Sequence, residues 1–310
     1  MMRILLACCA SGLLLAGCSS AGGSHGPKPD QSYDDAMDTA RSVYDSGQIT
    51  QAEAQYRSAY DRALLRDDVD QIHEAGFNLA TVLLNENQPR RALIILGKVE
   101  SAMMARHRAD LGDLRVVEAA ALYRLGDISG AQQKVQGEVQ SADTGIRERA
   151  LYLTGLCASD LRQGDVLSQA VTQLGLSPEK GARTDRDELL ARLDLLRGHP
   201  VEALGLAETV VDRRRDRLDY RGMRRALLLA AQSADAAGQS QQAARLRQQE
   251  DDSLRQSDQQ RSVRGEVSDA PDTTGHDDRV NVSVSLRNPG SPIRINSVSA
   301  GQVGDTGGTQ

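Results

Sequence analysis

One spacing governs what this chain can fold into. Turn-favouring residues at Gly47, Asn87, Gly126, Gly164, Gly198 and Gly238 recur at intervals of 40, 39, 38, 34 and 40. Self-similarity at such a period marks a chain built from one supersecondary unit stacked on copies of itself. Seven residues before each turn stand Ala40, Ala80, Ala119, Cys157, Ala191 and Ala231, all small. Five after it stand Ala52, Ala92, Ala131, Gln169, Ala203 and Ala243, with Ala170 one place late in the fourth unit. Small side chains on both sides of a turn let two helices close on each other, where a Leu would hold them apart. Three before the turn come Tyr44, Leu84, Tyr123, Leu161, Leu195 and Asp235, and nine after it Tyr56, Leu96, Val135, Gln173, Ala207 and Arg247. The pattern weakens in the fourth unit and decays in the sixth, where a terminal unit turns a polar face outward.

Composition agrees with helices. The 310 residues hold 3% aromatics, no Trp and a single Phe, so core volume must come from Leu, Ala, Val and Ile. Ala-rich helices suit that inventory better than strands, which favour β-branched and aromatic side chains. A net charge of -6 gives no electrostatic ground for a nucleic-acid partner, and the few aromatics are scattered rather than arranged as stacking platforms.

The repeat resembles the tetratricopeptide repeat family, whose unit is two antiparallel helices with small residues at their crossing and an aromatic or Leu near the end of each. Tyr44-Asp45-Ser46-Gly47-Gln48-Ile49 leading to Ala52 and Tyr56 fits it closely, as does Leu122 to Ile128 leading to Ala131. Pro89 and Pro200 stand near the starts of second helices, where a missing N–H costs little. The intervals exceed the family's usual 34 residues, and its consensus Trp and Pro are absent. The resemblance implies an all-α, right-handed superhelix of about six antiparallel helix pairs over residues 33–255. It also implies a groove, lined by the first helices, that takes a peptide or helix of a protein partner. Arg41, Tyr44, Phe77, Tyr123, Arg124, Arg162 and Arg192 are the residues it would assign to that groove, an Arg and aromatic mixture of the kind that dominates binding energy.

The N-terminus carries a second resemblance. Met1 to Gly17 has one charge at Arg3 followed by an apolar run of signal-peptide length, short of a bilayer span. It closes with Leu15-Ala16-Gly17-Cys18, which is similar to the lipobox of bacterial lipoproteins. This implies a signal peptide over 1–17, removed to leave Cys18 carrying lipid such as palmitate. Ser19 in place of Asp implies the outer membrane, with the body facing the periplasm. Residues 18–32 are Gly-, Ser- and Pro-rich and read as a flexible tether. With Cys18 lipidated, Cys157 has no disulfide partner and reads as a small buried hydrophobe.

No chemistry-bearing motif emerges. His73, His107 and His199 form no metal-binding spacing, and no nucleophile elbow, phosphate loop or Cys-x-x-Cys is present. The chain therefore reads as a non-enzyme with no cofactor or metal. The basic run Arg213-Arg214-Arg215, with Arg217, Arg221, Arg224 and Arg225, is interleaved with Asp212, Asp216 and Asp219. It reads either as local pairing or as a docking patch for an acidic partner. Residues 256–310 are low in complexity and read as mostly disordered. Within them 279–298 alternate apolar and polar residues about Asn288-Pro289-Gly290, a candidate hairpin that could add strands to a partner's sheet. The functional expectation is a lipid-anchored periplasmic scaffold that helps assemble an envelope complex such as pilus, secretion, outer-membrane or cell-wall machinery. The alternative is a ligand-binding receptor or transport accessory, which would need an apolar pocket with converging polar groups.

Overall fold

The computed structural model describes residues 28–264. The signal segment, Cys18, most of the tether and the candidate hairpin lie outside them. The chain divides into a unit ending at Gln31 and a unit beginning at Ser32, and the second holds the repeats. Among the described residues the regular elements are all helical. They are α1 (Gln31–Asp45), α2 (Ile49–Arg66), α3 (Val69–Asn85), α4 (Pro89–Ala105), α5 (Gly112–Arg124) and α6 (Ile128–Val135). A single 3₁₀ turn (Glu138–Gln140) precedes α7 (Thr144–Asp160), α8 (Gly164–Leu174), α9 (Lys180–Arg197), α10 (Pro200–Asp216), α11 (Tyr220–Ala236) and α12 (Ser240–Arg264). These are the six antiparallel pairs of a tetratricopeptide-like solenoid, with odd-numbered helices first in each pair.

The turns within pairs are copies of one another. Each contains one residue with a left-handed backbone, at Gly47, Asn87, Gly126, Arg162, Gly198 and Gly238. In the first turn the N–H of Gly47 donates to the Tyr44 carbonyl and that of Gln48 to the Val43 carbonyl, both at 2.9 Å. In the fourth, Arg162 donates to Ser159 at 3.1 Å and Gln163 to Ala158 at 2.7 Å. This pair of bonds satisfies carbonyls that a helix end would otherwise orphan, and the second helix begins two residues after the left-handed position.

That geometry corrects the sequence register in the fourth unit. The turn residue is Arg162, whereas Gly164 is the first residue of α8. An Arg in the left-handed region carries a penalty of about 1–2 kcal/mol that Gly avoids, so the nearby Gly drew the alignment two places away. In the corrected register the small residue seven before the turn is Gly155 rather than Cys157, and the fifth after it is Leu167 rather than Gln169. Gly155 marks a close approach: a Cβ there would overlap the Leu189 side chain on α9, which would have to shift. The predicted small positions Ala40, Ala80, Ala119, Ala191 and Ala231, with Ala52, Ala92, Ala131, Ala203 and Ala243, are all buried.

Helix α12 continues to Arg264, past the expected boundary at 255. Its apolar pattern ends early, but residues 256–264 contain no Gly or Pro, and Gln and Arg sustain a helix on propensity. Only Ala243, Leu246 and Glu250 of this helix are buried, so the last unit presents a polar cap. Among the described residues no helix is long and apolar enough to cross a membrane.

Candidate interaction surface

The first helices form the inner layer of the solenoid, and their side chains are largely committed to one another. Helix α3 is buried on every side from Ala75 to Leu84, including the polar Asn78 and Thr81. Those two discharge their donors within the helix, Asn78 to the Glu74 carbonyl at 2.8 Å and Thr81 to the Phe77 carbonyl at 2.9 Å. A helix enclosed all round is a core helix rather than the wall of an open channel.

The seven residues assigned to a groove divide accordingly. Arg41 donates to Asp38 and to Glu74, each at 2.7 Å, tying α1 to α3, and keeps its side chain 19% exposed. Tyr44 is half-buried and its hydroxyl accepts from the Asn85 amide. Burial pushes that hydroxyl up to about 12, with Arg221 and Arg124 pulling the other way. Arg192 lies 3.7 Å from both Asp160 and Glu188 and remains slightly exposed. The other four do not line a solvent-filled groove. Phe77 and Tyr123 are 0% exposed and Arg124 3%. Phe77 fills the apolar core, the Tyr123 hydroxyl donates to Asp160 at 2.6 Å, and Arg124 donates to the Leu84 carbonyl. Arg162 is exposed on the fourth turn, placed there by its backbone role. For Tyr123 and Arg124 the reason is that the first helices lie close enough for long side chains to reach a neighbouring unit rather than solvent.

The structure adds a group that sequence reasoning did not find. Glu188 on α9 is fully buried and accepts from Arg225 Nε at 2.5 Å, Arg214 Nη2 at 3.0 Å and the Tyr152 hydroxyl at 2.8 Å. Arg214 also donates to Asp185 at 2.6 Å and Asp219 at 3.0 Å. The guanidinium carbons of Arg214 and Arg225 each stand 5.7 Å from the centre of the Tyr152 ring, within cation–π range. Burial alone would raise the Glu188 carboxyl, but Arg225 and Arg214 outweigh it and hold the group well below the usual carboxylate range. Burial raises Asp185, with Arg214 only partly offsetting it. The buried apolar residues form two clusters, one running from Tyr33 to Leu193 and the other from Ala191 to Leu246, both with members on α9, the helix that carries Glu188. From α11, Arg221 reaches further, donating to the carbonyls of Leu84 and Asn85 at the end of α3.

The signal for the seam was in the repeat. Tyr152 and Glu188 each stand ten residues before the left-handed residue of their turns, so stacking brings them together. The two-residue register error concealed this. The Arg run does pair locally, as in Arg215 with Asp212 at 2.6 Å, but Arg213, Arg214 and Arg225 reach back to α9.

Two isolated groups complete the picture. His73 on α3 meets Asp113 on α5 at 3.0 Å; burial pulls its pKa down, but the bond to Asp113 and the charges of Asp113 and Asp110 together raise it. Cys157 is buried and free, its thiol pushed up to about 12 by burial, which makes it a poor nucleophile. Among the described residues no cluster of His, Cys, Asp and Glu could hold a metal ion.

No protein-family model matches the sequence, and no curated protein does. Solved structures do. The chain is similar to PilW, described as a widely conserved type IV pilus biogenesis factor, with a TM-score of 0.52 and 16% identity over 71% of this chain and 93% of that one. A tetratricopeptide repeat protein from Parabacteroides merdae matches with a TM-score of 0.47 and 17% identity over 72% of this chain and 93% of the other. At this identity the likeness to PilW speaks to the fold alone.

Proposed function

We propose that this protein is a non-enzymatic scaffold that binds other proteins of the bacterial cell envelope, held at the outer membrane by lipid on Cys18 and facing the periplasm. The observation that carries the reading is the solenoid itself. Six stacked helix pairs present a long outer surface, while the ionizable groups of the inner layer are occupied in holding the units together. Such a body offers area for recognition, and preorganised surfaces bind without the cost of ordering. Arg41, Tyr44 and Arg192, the partly exposed members of the predicted groove, form its inner rim. Phe77, Tyr123 and Arg124 are packed into the core behind them. A protein of the same fold, PilW, is a pilus biogenesis factor, which makes pilus assembly the first envelope complex to test.

The test is cross-linking and affinity capture of the full-length protein from its native envelope, alongside a Cys18→Ala form. A stoichiometric protein partner recovered with the wild type, and lost or reduced when the anchor is removed, supports the reading. Recovery of a small molecule in place of a protein contradicts it.

A further inference from the structure

One contact runs against the order of the repeats. The first helices pack in sequence, α3 on α5, α5 on α7, α7 on α9 and α9 on α11. Packed helices lie about 8–10 Å apart, so four such steps in a straight row would span ~32–40 Å. A single side chain nevertheless joins the two ends. Arg221, the second residue of α11, donates to the Leu84 carbonyl at 2.9 Å and to the Asn85 carbonyl, both at the end of α3. The row of first helices therefore curls until the sixth unit comes round to the second. It also twists, since the end of one helix meets the start of the other.

The second turn carries an independent mark of this closure. Glu86, Asn87 and Gln88 are 1%, 6% and 5% exposed, whereas none of the corresponding residues in the other five turns within pairs is buried. Nor does α3 need Arg221 in order to end. The Leu84 carbonyl already accepts from the Asn87 N–H at 3.0 Å and from Arg124, which matches the two lone pairs of a carbonyl oxygen. Arg221 arrives as a further donor, and its consequence is long-range rather than local. The joint is also of a kind that can part. The buried apolar residues of α3 belong to the cluster that runs from Tyr33 to Leu193 and those of α11 to the one from Ala191 to Leu246. Among the described residues no buried apolar cluster contains both helices. Hydrogen bonds can be exchanged for water at a modest net cost, and segments with few apolar contacts open first.

We propose that Arg221 is a clasp: it holds the start of the sixth unit against the turn of the second, and its release opens the inner face without unfolding either end of the solenoid. Release uncovers the stretch from Asn85 to Gln88 together with Tyr44, whose hydroxyl is bonded to the Asn85 amide. The clasp stands or falls independently of the protein-binding role. Combined with that role, the closed form withholds this part of the inner rim from a partner.

The test is hydrogen exchange of the full chain carrying Cys18→Ala, read by mass spectrometry, with small-angle X-ray scattering on the same samples. In the parent, exchange of the 85–88 amides should be insensitive to urea below the unfolding transition, because opening the clasp exposes little surface. Amides of α11 from Ala226 to Ala234 should instead follow global unfolding. Arg221→Met should speed exchange at 85–88 about tenfold, the scale of one hydrogen bond from a charged donor, and enlarge the radius of gyration. Arg221→Lys, which keeps a cation but not the two-pronged donor, should fall between the two. Arg215→Gln, on an exposed pair with Asp212, should match the parent. The proposal is overturned if the parent's 85–88 amides share the urea dependence of α11. It is equally overturned if Arg221→Met leaves exchange and radius unchanged, or if the interior of α11 loses protection along with the turn, the mark of a plain stabilising contact.

Discussion

The first three helix pairs and the last three solve the same stacking problem with different materials. Near the N-terminus Tyr56, Tyr60, Phe77 and Val99 pack in one apolar cluster, closely enough that a Cβ on Gly76 would overlap the Val99 side chain. At the C-terminal joint between α7, α9 and α11, Glu188, Arg214, Arg225 and Tyr152 take that place. The apolar joint depends on shape. The ionic joint depends on completeness: a buried ion pair adds little over a hydrophobic substitute, yet removing one partner strands the others. The two joints should therefore fail in different ways.

The largest expected effects come from a single deletion at either joint, and the difference lies in what rescues it. Glu188→Ala takes from the buried Arg225 and Arg214 the carboxylate they share and should cost about 3–5 kcal/mol in urea unfolding. Phe77→Ala in the apolar joint should cost a similar amount, about 3–5 kcal/mol, through a cavity. The two part on rescue. Phe77→Leu should recover much of its loss, whereas Glu188→Gln, similar in shape but uncharged, should recover little.

Next in size is the close approach between α7 and α9. Gly155→Ala must displace Leu189 and should cost about 1–3 kcal/mol, read as a lower urea midpoint at unchanged slope. Ala substitution at Gly205, where a Cβ would meet nothing, should not destabilise and provides the control.

A smaller effect depends on pH. His73 has a raised pKa in the folded protein, so its bond to Asp113 contributes stability that is full below the unfolded value of 6.5 and is lost as pH rises through the folded value. The bond contributes about 1 kcal/mol. Asp113→Asn should flatten this part of the stability profile, measured by thermal melting across pH. Glu188 behaves oppositely: its lowered pKa means its contribution is present above the unfolded carboxylate range and declines only as pH falls toward the depressed folded value. Smallest of all, Arg162→Gly should stabilise by about 1 kcal/mol, the cost of a left-handed Arg.

These contrasts also explain what could be read from the residues. Five of the six turns were legible because Gly or Asn fills the left-handed position, and the small residues beside them fixed which faces meet. The fourth turn was not, because Arg162 carries no compositional mark of its backbone. Phe77, Tyr123 and Arg124, expected to face a groove, are buried for a related reason. Periodicity tells which face of a helix points inward, but not whether the next unit stands close enough to cover it. The ionic seam was obscured by proximity in sequence: Asp212, Asp216 and Asp219 beside the Arg run suggested local pairing, while the deepest partner, Glu188, lies one repeat upstream.

The most direct test of the account is a double-mutant cycle on Glu188 and Arg225, combining Glu188→Ala, Arg225→Ala and both, with stability read by urea unfolding. A buried seam holding the C-terminal units together predicts a coupling of about 2–3 kcal/mol, with the double variant far less damaged than the sum of the singles. A coupling under about 0.5 kcal/mol, the scale of an exposed surface pair, would contradict it.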